Sequence, residues 1–312
     1  MDYFSPLLGQ PQAIELLTQG VLQNRVPPAY LFAGTNGIGR SLAARCYLEL
    51  LLCHNAANPS LVQHKLRQEN HPDVLWIQPS YQHQGQIYTA KEAEEKGLKR
   101  KTPPSIRLEQ IRGITNFVSR PPLEASRSVV IIEDAQTMAE SAANALLKTL
   151  EEPGQATLIL IAPSPDSILS TLVSRCQKIP FYRLDKETIK KVLRKTGNEE
   201  ILENKAILDL AAGSPGEAIA SYKQLQQISP ELLKSATQLP KSPRQALELG
   251  KQIDKELNSE AQFWLINYLQ QHYWQQYRQP KVVELLEKAR KNLLIFAQPR
   301  LVWECTFLEM LS

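Results

Sequence analysis

Residues Gly34–Ser41 read Gly-Thr-Asn-Gly-Ile-Gly-Arg-Ser. They meet every fixed position of the phosphate-loop pattern G-x-x-x-x-G-K-[ST] except the lysine. Gly34, Gly37 and Gly39 allow the backbone to curl beneath a row of N–H donors at a helix start, the arrangement that binds phosphate. Ser41 stands where a hydroxyl would reach Mg²⁺. Arg40 stands where the lysine belongs, and its planar fork does not replace a compact ammonium. The motif therefore predicts either a phosphate cradle with damaged chemistry or a glycine loop that packs empty. A second feature is the apolar run Val129–Ile132, which ends in Glu133-Asp134. ATPases hold Mg²⁺ with an aspartate at a strand tip, and a glutamate after it often activates water. Here both carboxylates occur in the reverse order, so the first reaches too far and the second falls short.

These residues need elements to hold them. Ala29–Ala33 reads as a buried strand before the glycine loop, and 41–52 reads as a helix after it. Strand, loop and helix in that order are the context a phosphate loop requires. Further strands are expected at 73–77, 128–132 and 157–161, and helices at 10–23, 106–118 and 141–152. The alternation predicts a parallel α/β sheet with flanking helices. Residues 80–104 read as an exposed insertion with no element of its own. Its cations Lys96, Lys99, Arg100 and Lys101 are either a DNA contact or a solvated charge run. Beyond Phe181 the strand signals stop. Short helices follow at 186–196, 200–212 and 217–226, with a turn at Gly213-Ser214-Pro215-Gly216. From Pro230 onward the chain reads as wholly helical, one amphipathic stretch being Val282, Leu285, Leu286, Ala289 and Leu293.

Composition excludes some classes of function. Across 312 residues, 43% are hydrophobic, 22% are charged and the net charge is +4. That is an ordinary globular balance, too mildly basic to argue for nucleic acid by itself. Cys46, Cys53, Cys176 and Cys305 form no Cys-x-x-Cys pair, so no metal site is expected. The first residues lack a basic start and an apolar core, and no apolar run is long enough to span a bilayer. A cytoplasmic protein with no membrane contact is the expectation.

Asn144-Ala145-Leu146-Leu147-Lys148-Thr149-Leu150-Glu151-Glu152-Pro153, followed by Ser174-Arg175-Cys176, resembles the signature pair of the clamp-loader family of AAA+ proteins. Gly9-Gln10, the run 25–32, His71-Pro72-Asp73 and the stretch 292–311 resemble the same family. The resemblance covers the chain outside the 80–104 insertion. It implies an AAA+ α/β domain over 1–182, a small helical lid domain over 183–224 and an all-α collar domain over 225–312.

The resemblance also sorts the site residues. The family's motor subunit keeps the loop lysine, a polar residue at the strand end after the Asn144 helix, and an arginine in its Gly-Ser-x-Arg turn. Here those places hold Arg40, Ala162-Pro163 and Gly216. With the acidic pair also altered, efficient hydrolysis at this chain's own loop is not expected, since each lost donor commonly costs about 10²-fold. That pattern is the one of the family's structural, non-hydrolysing subunit. Arg175 survives, and the resemblance implies that it acts in trans as an arginine finger on a neighbouring motor subunit. No cofactor is required on this reading, although ATP or ADP could sit in the loop without efficient hydrolysis. The implied partners are motor (gamma/tau) and delta subunits in a hetero-pentamer, with a sliding clamp and primed DNA reached through the complex. The competing readings are an active ATPase subunit using Arg40 in place of the lysine, and a stand-alone P-loop nucleotide kinase. The kinase reading leaves Ser174-Arg175-Cys176 and the helical C-terminal region unexplained.

Overall fold

The computed structural model describes residues 2–54, 56–83, 86–96 and 103–311. The chain divides into two compact units, Met1–Thr188 and Ile189–Ser312.

The first unit runs α1 (Pro11–Leu22), β1 (Ala29–Ala33), α2 (Arg40–Cys53), α3 (Pro59–Arg67), β2 (Val74–Ile77), β3 (Ser80–His83), β4 (Gln86–Thr89), α4 (Ala90–Glu95), α5 (Leu108–Val118), β5 (Ser128–Ile132), α6 (Glu140–Glu151), β6 (Ala156–Ala162), α7 (Ser170–Val173) and β7 (Gln177–Pro180). The main sheet has the order β2-β5-β6-β1-β7 and is parallel throughout. Side chains alternate across a strand with a period of two, and that sorts the core into two layers. Tyr30, Phe32, Val129, Ile131, Ile159 and Ile161 face one layer with Leu17 and Tyr47. Leu31, Val130, Ile132, Leu158 and Leu160 face the other, with Ile111, Ile114 and Leu146. Strands covered on both faces are continuous apolar runs, which is how β1, β5 and β6 read.

One part of the sequence reading is corrected. The described residues within 80–104 do form elements: β3 and β4 pair antiparallel, Ser80 with Thr89 through His83 with Gln86, and α4 follows. The segment is pinned at its base, where Ser80 and Ser105 exchange backbone hydrogen bonds of 3.0 and 3.1 Å. Ser80 Oγ also donates to Gln110 Oε1 at 2.9 Å. Mixed polar strands carry little hydrophobic signal, which is why the hairpin was not legible. Of the cations in the segment, Lys96 lies over the Tyr88 ring at 4.5 Å; Lys99, Arg100 and Lys101 lie outside the described residues. The sequence reading assigns no element to β7, an edge strand ending in proline with Ile179 as its one fully buried residue. Proline is tolerated at such an edge.

Helix α8 (Lys186–Lys195) follows the sheet, and the second unit continues with α9 (Lys205–Ala211), α10 (Pro215–Gln227), α11 (Pro230–Ala236), α12 (Pro243–Glu256), α13 (Ser259–Tyr277), α14 (Pro280–Leu294) and α15 (Pro299–Glu309). Helices α12 and α15 approach so closely that a Cβ on Gly250 would lie 2.9 Å from the Glu304 backbone nitrogen. Trp303 is fully buried and donates to Gln262 Oε1 at 2.9 Å, so the indole N–H is satisfied inside the core.

Candidate functional site

The glycine loop leaves the carboxyl end of β1, the end of a parallel sheet where ligands bind. Gly34 N–H donates to Ala162 O at 3.3 Å. A Cβ on Gly34 would sit 2.6 Å from Phe181 O, so only glycine fits between the strands there. Gly39 has φ 99° and caps α2, which begins one residue earlier than the sequence suggests, at Arg40. Behind the loop, Gln10 accepts from Tyr182 N–H at 3.0 Å, while its amide donates to Tyr182 O at 2.7 Å and to Ile38 O at 3.2 Å. This buried amide ties the loop to the chain beyond β7. It is a positioning role that the Gly9-Gln10 resemblance marks without explaining.

Arg40 is only 7% exposed. Its Nη2 donates to Asn36 Oδ1 within the same loop at 2.5 Å. Its Nη1 is buried without a hydrogen-bond partner. Burial pulls the guanidinium below its ordinary pKa, while the charges of Asp134 and Glu133 pull the other way. Arginine stays protonated regardless, so a buried cation is held against the Asn36 side chain of the loop. Ser41 is half-buried at the second position of α2.

Glu133 and Asp134 follow β5 at the same edge of the sheet. Glu133 Oε2 accepts from Gln78 Nε2 at 2.8 Å. Asp134 adopts the left-handed region at φ 46°, and its Oδ1 accepts from Gln136 Nε2 at 3.1 Å. Its carbonyl accepts from both the Thr137 N–H and hydroxyl at 2.8 Å, starting a single 3₁₀ turn. The two acids thus act on Arg40 through space and form no ion pair with it. The adjacent strand β6 ends in Ala162, which has no side chain to sense a phosphate. In the second unit, Ser214 caps α10 by accepting from Glu217 N–H at 3.2 Å, with Pro215 at the first helical position. The turn that would carry an arginine is a helix start.

Arg175 lies elsewhere. It follows α7 and precedes β7, whose first residue Gln177 is level with Tyr30 and whose last, Pro180, is level with Ala33. The strands are parallel, so Arg175 stands at the amino edge of the sheet and the glycine loop at the carboxyl edge. Four residues of β7 separate those levels, roughly 13 Å. Arg175 Nη2 donates to Glu151 Oε1 at 2.6 Å and Nη1 to Thr171 O at 3.0 Å. Glu151 is a partner that the sequence reading did not single out, although it lies in the quoted run. Cys176 packs against the core, and burial pushes its thiol up to about 11, the behaviour of a packed thiol rather than a nucleophile.

His71 and Asp73 form a local knot. Asp73 accepts the backbone N–H groups of Leu123, Glu124 and Ala125 at 2.7, 2.8 and 2.7 Å. Burial would raise its pKa, but these three hydrogen bonds outweigh it and hold the carboxyl below its usual value. His71 Nδ1 accepts the Asp73 N–H at 3.2 Å, and burial lowers the imidazole pKa. Among the described residues, no group of three or more His, Cys, Asp or Glu could hold a metal ion, and no helix is long and apolar enough to cross a membrane.

Comparison with known proteins bears on the family. A model described as DNA polymerase III, delta subunit, matches residues 9–185, more than half of the chain. A model of the cyanobacterial DNA polymerase III delta prime C-terminal domain matches residues 187–310. This chain belongs to the DNA polymerase III delta prime family. It is 32% identical to DNA polymerase III subunit delta' of Bacillus subtilis over 185 residues, covering 58% of this chain and 50% of that protein. It is 26% identical to DNA polymerase III subunit tau of the same organism, over 74% of this chain and 39% of that one. The chain thus spans half the length, or less, of these curated relatives. A gamma subunit-related DNA polymerase III protein from Thermotoga maritima superposes with a TM-score of 0.52 at 18% identity, covering 96% of this chain and 98% of the other. That likeness concerns the fold alone.

Proposed function

We propose that this protein is the non-hydrolysing delta prime subunit of a bacterial DNA polymerase III clamp loader, donating Arg175 to the ATP site of a neighbouring motor subunit. The observation that carries this reading is the separation of Arg175 from the chain's own glycine loop. An exposed arginine at the opposite edge of the sheet cannot serve that loop, and with two of its N–H groups bonded within the chain it keeps three donors for another chain's. Arginine fingers stabilise charge on the transferring phosphoryl group and raise rates by about 10³–10⁵ in the best-studied cases.

The chain's own loop supports the same reading. The backbone cradle and the start of α2 fit a phosphate, but Arg40 is already bonded to Asn36 inside it. Glu133 and Asp134 are engaged with Gln78 and Gln136, which leaves the metal side of the site poorly supplied. The protein therefore needs no nucleotide of its own, and any ATP or ADP in the loop is held rather than cleaved. Its partners would be gamma/tau motor subunits and a delta subunit in a hetero-pentamer in the cytoplasm. The assembly would place a sliding clamp on primed DNA. Arg175 is the one catalytic residue assigned to this chain; Gly34, Gly37, Gly39, Arg40, Ser41, Glu133 and Asp134 form a degenerate nucleotide site. ATP turnover by the purified chain, with and without primed DNA, separates this reading from an active ATPase. No turnover above background is expected. Turnover that Arg40→Ala abolishes would overturn it.

A further inference from the structure

Arg175 is tethered at two points of its own chain. Nη1 donates to the Thr171 carbonyl at 3.0 Å and Nη2 to Glu151 Oε1 at 2.6 Å. Two acceptors on two different nitrogens fix both the direction and the plane of the guanidinium. Three of its five N–H donors remain for another ligand. The anchor is itself rigid. Glu151 closes α6, a twelve-residue helix that buries Ala142, Ala143, Leu146 and Leu150 in the core. Thr171 lies in α7 beside the buried Leu172. Glu152, the next residue, makes no bond to Arg175.

We propose that Glu151 is a positioning residue for Arg175, holding the guanidinium ready for the phosphate of a neighbouring subunit. This rests on the reading of Arg175 as a finger in trans. An exposed arginine otherwise samples many rotamers, and that freedom must be surrendered when it engages a phosphate. A tether within the chain removes that loss in advance, as supporting groups do at other preorganised sites. Both side chains are partly exposed, at 37% and 53%, so the pair is screened and its effect is modest. The carboxylate acts through the hydrogen bond it accepts, so an amide oxygen at the same place substitutes for it.

The test is DNA-stimulated ATP turnover of the reconstituted clamp-loader complex. The quantity read is the part of kcat that depends on Arg175, meaning the difference between parent and Arg175→Ala complexes. Glu151→Ala is expected to lower that part roughly two- to fivefold with KM for ATP unchanged. Glu151→Gln should restore most of it, and Glu151→Ala should add nothing in the Arg175→Ala background. Glu152→Ala removes the same charge without touching Arg175 and should leave kcat at the parent value. An Arg175-dependent part unchanged or raised by Glu151→Ala would overturn the positioning role while leaving the finger intact. So would an equal loss in Glu152→Ala, or a loss that persists without Arg175. A zero difference between parent and Arg175→Ala removes the finger itself.

Discussion

A lysine at position 40 would carry a compact ammonium on a flexible stem. The arginine found there is buried, and its fork reaches back to Asn36 in its own loop. Restoring the lysine does not restore the site, because Glu133, Asp134 and Ala162 are unchanged. Arg40→Lys is therefore expected to show ATP turnover no higher than the parent chain, measured on the purified protein. A clear gain would mean that the other alterations matter less than their geometry implies. Asp73 carries a stability prediction of its own. Asp73→Ala strands three backbone N–H groups and should cost about 2–3 kcal/mol, read as a lower denaturation midpoint. The folded carboxyl titrates below its unfolded value of 3.8, so its contribution is complete above about pH 4 and is lost as pH falls further. His71 also titrates lower when folded, so the unfolded chain takes up its proton first. Stability should begin to fall as pH drops through 6.5, the unfolded value for that imidazole. A parent chain equally stable at pH 7 and pH 3.5 would contradict both assignments.

At the scale of elements, the close approach of α12 and α15 is the most testable contact. Alanine at 250 would gain up to about 1 kcal/mol of helix propensity. Its Cβ would also lie 2.9 Å from the Glu304 nitrogen and 3.2 Å from its Cα. Backbone atoms cannot swing aside as a side-chain tip can, and overpacking costs about 1–3 kcal/mol. Net destabilisation is expected, with Tm lowered by a few degrees in a calorimetric scan; a rise in Tm would show that the helices separate freely. The same scale shows what sequence could and could not deliver. Strands β1, β5 and β6 were legible because they are buried on both faces and read as unbroken apolar runs. Helix α3, with no fully buried residue, escaped notice despite Asn58 at its cap and Pro59 at its start. Strand β7 and the β3–β4 hairpin escaped because edge and exposed strands need little hydrophobicity. At the site, the glycine loop and Arg175 were legible as motifs. The pairing of Arg175 with Glu151, 24 residues apart in sequence, needed the fold to bring the ends of α6 and α7 together.

At the scale of the whole molecule, the parallel sheet sets two sites on opposite edges. The loop after β1 and the acids after β5 share the carboxyl edge; Arg175 and Glu151 share the amino edge. On the proposed function, this arrangement lets the chain forgo chemistry at its own loop while Arg175 serves the next subunit's. The role of Arg175 in trans is read from DNA-stimulated ATP turnover in a reconstituted clamp loader carrying Arg175→Ala. The complex is expected to assemble normally, with turnover at the site facing this chain lowered by about 10²-fold or more. Turnover equal to that of the parent complex, with assembly intact, would contradict it.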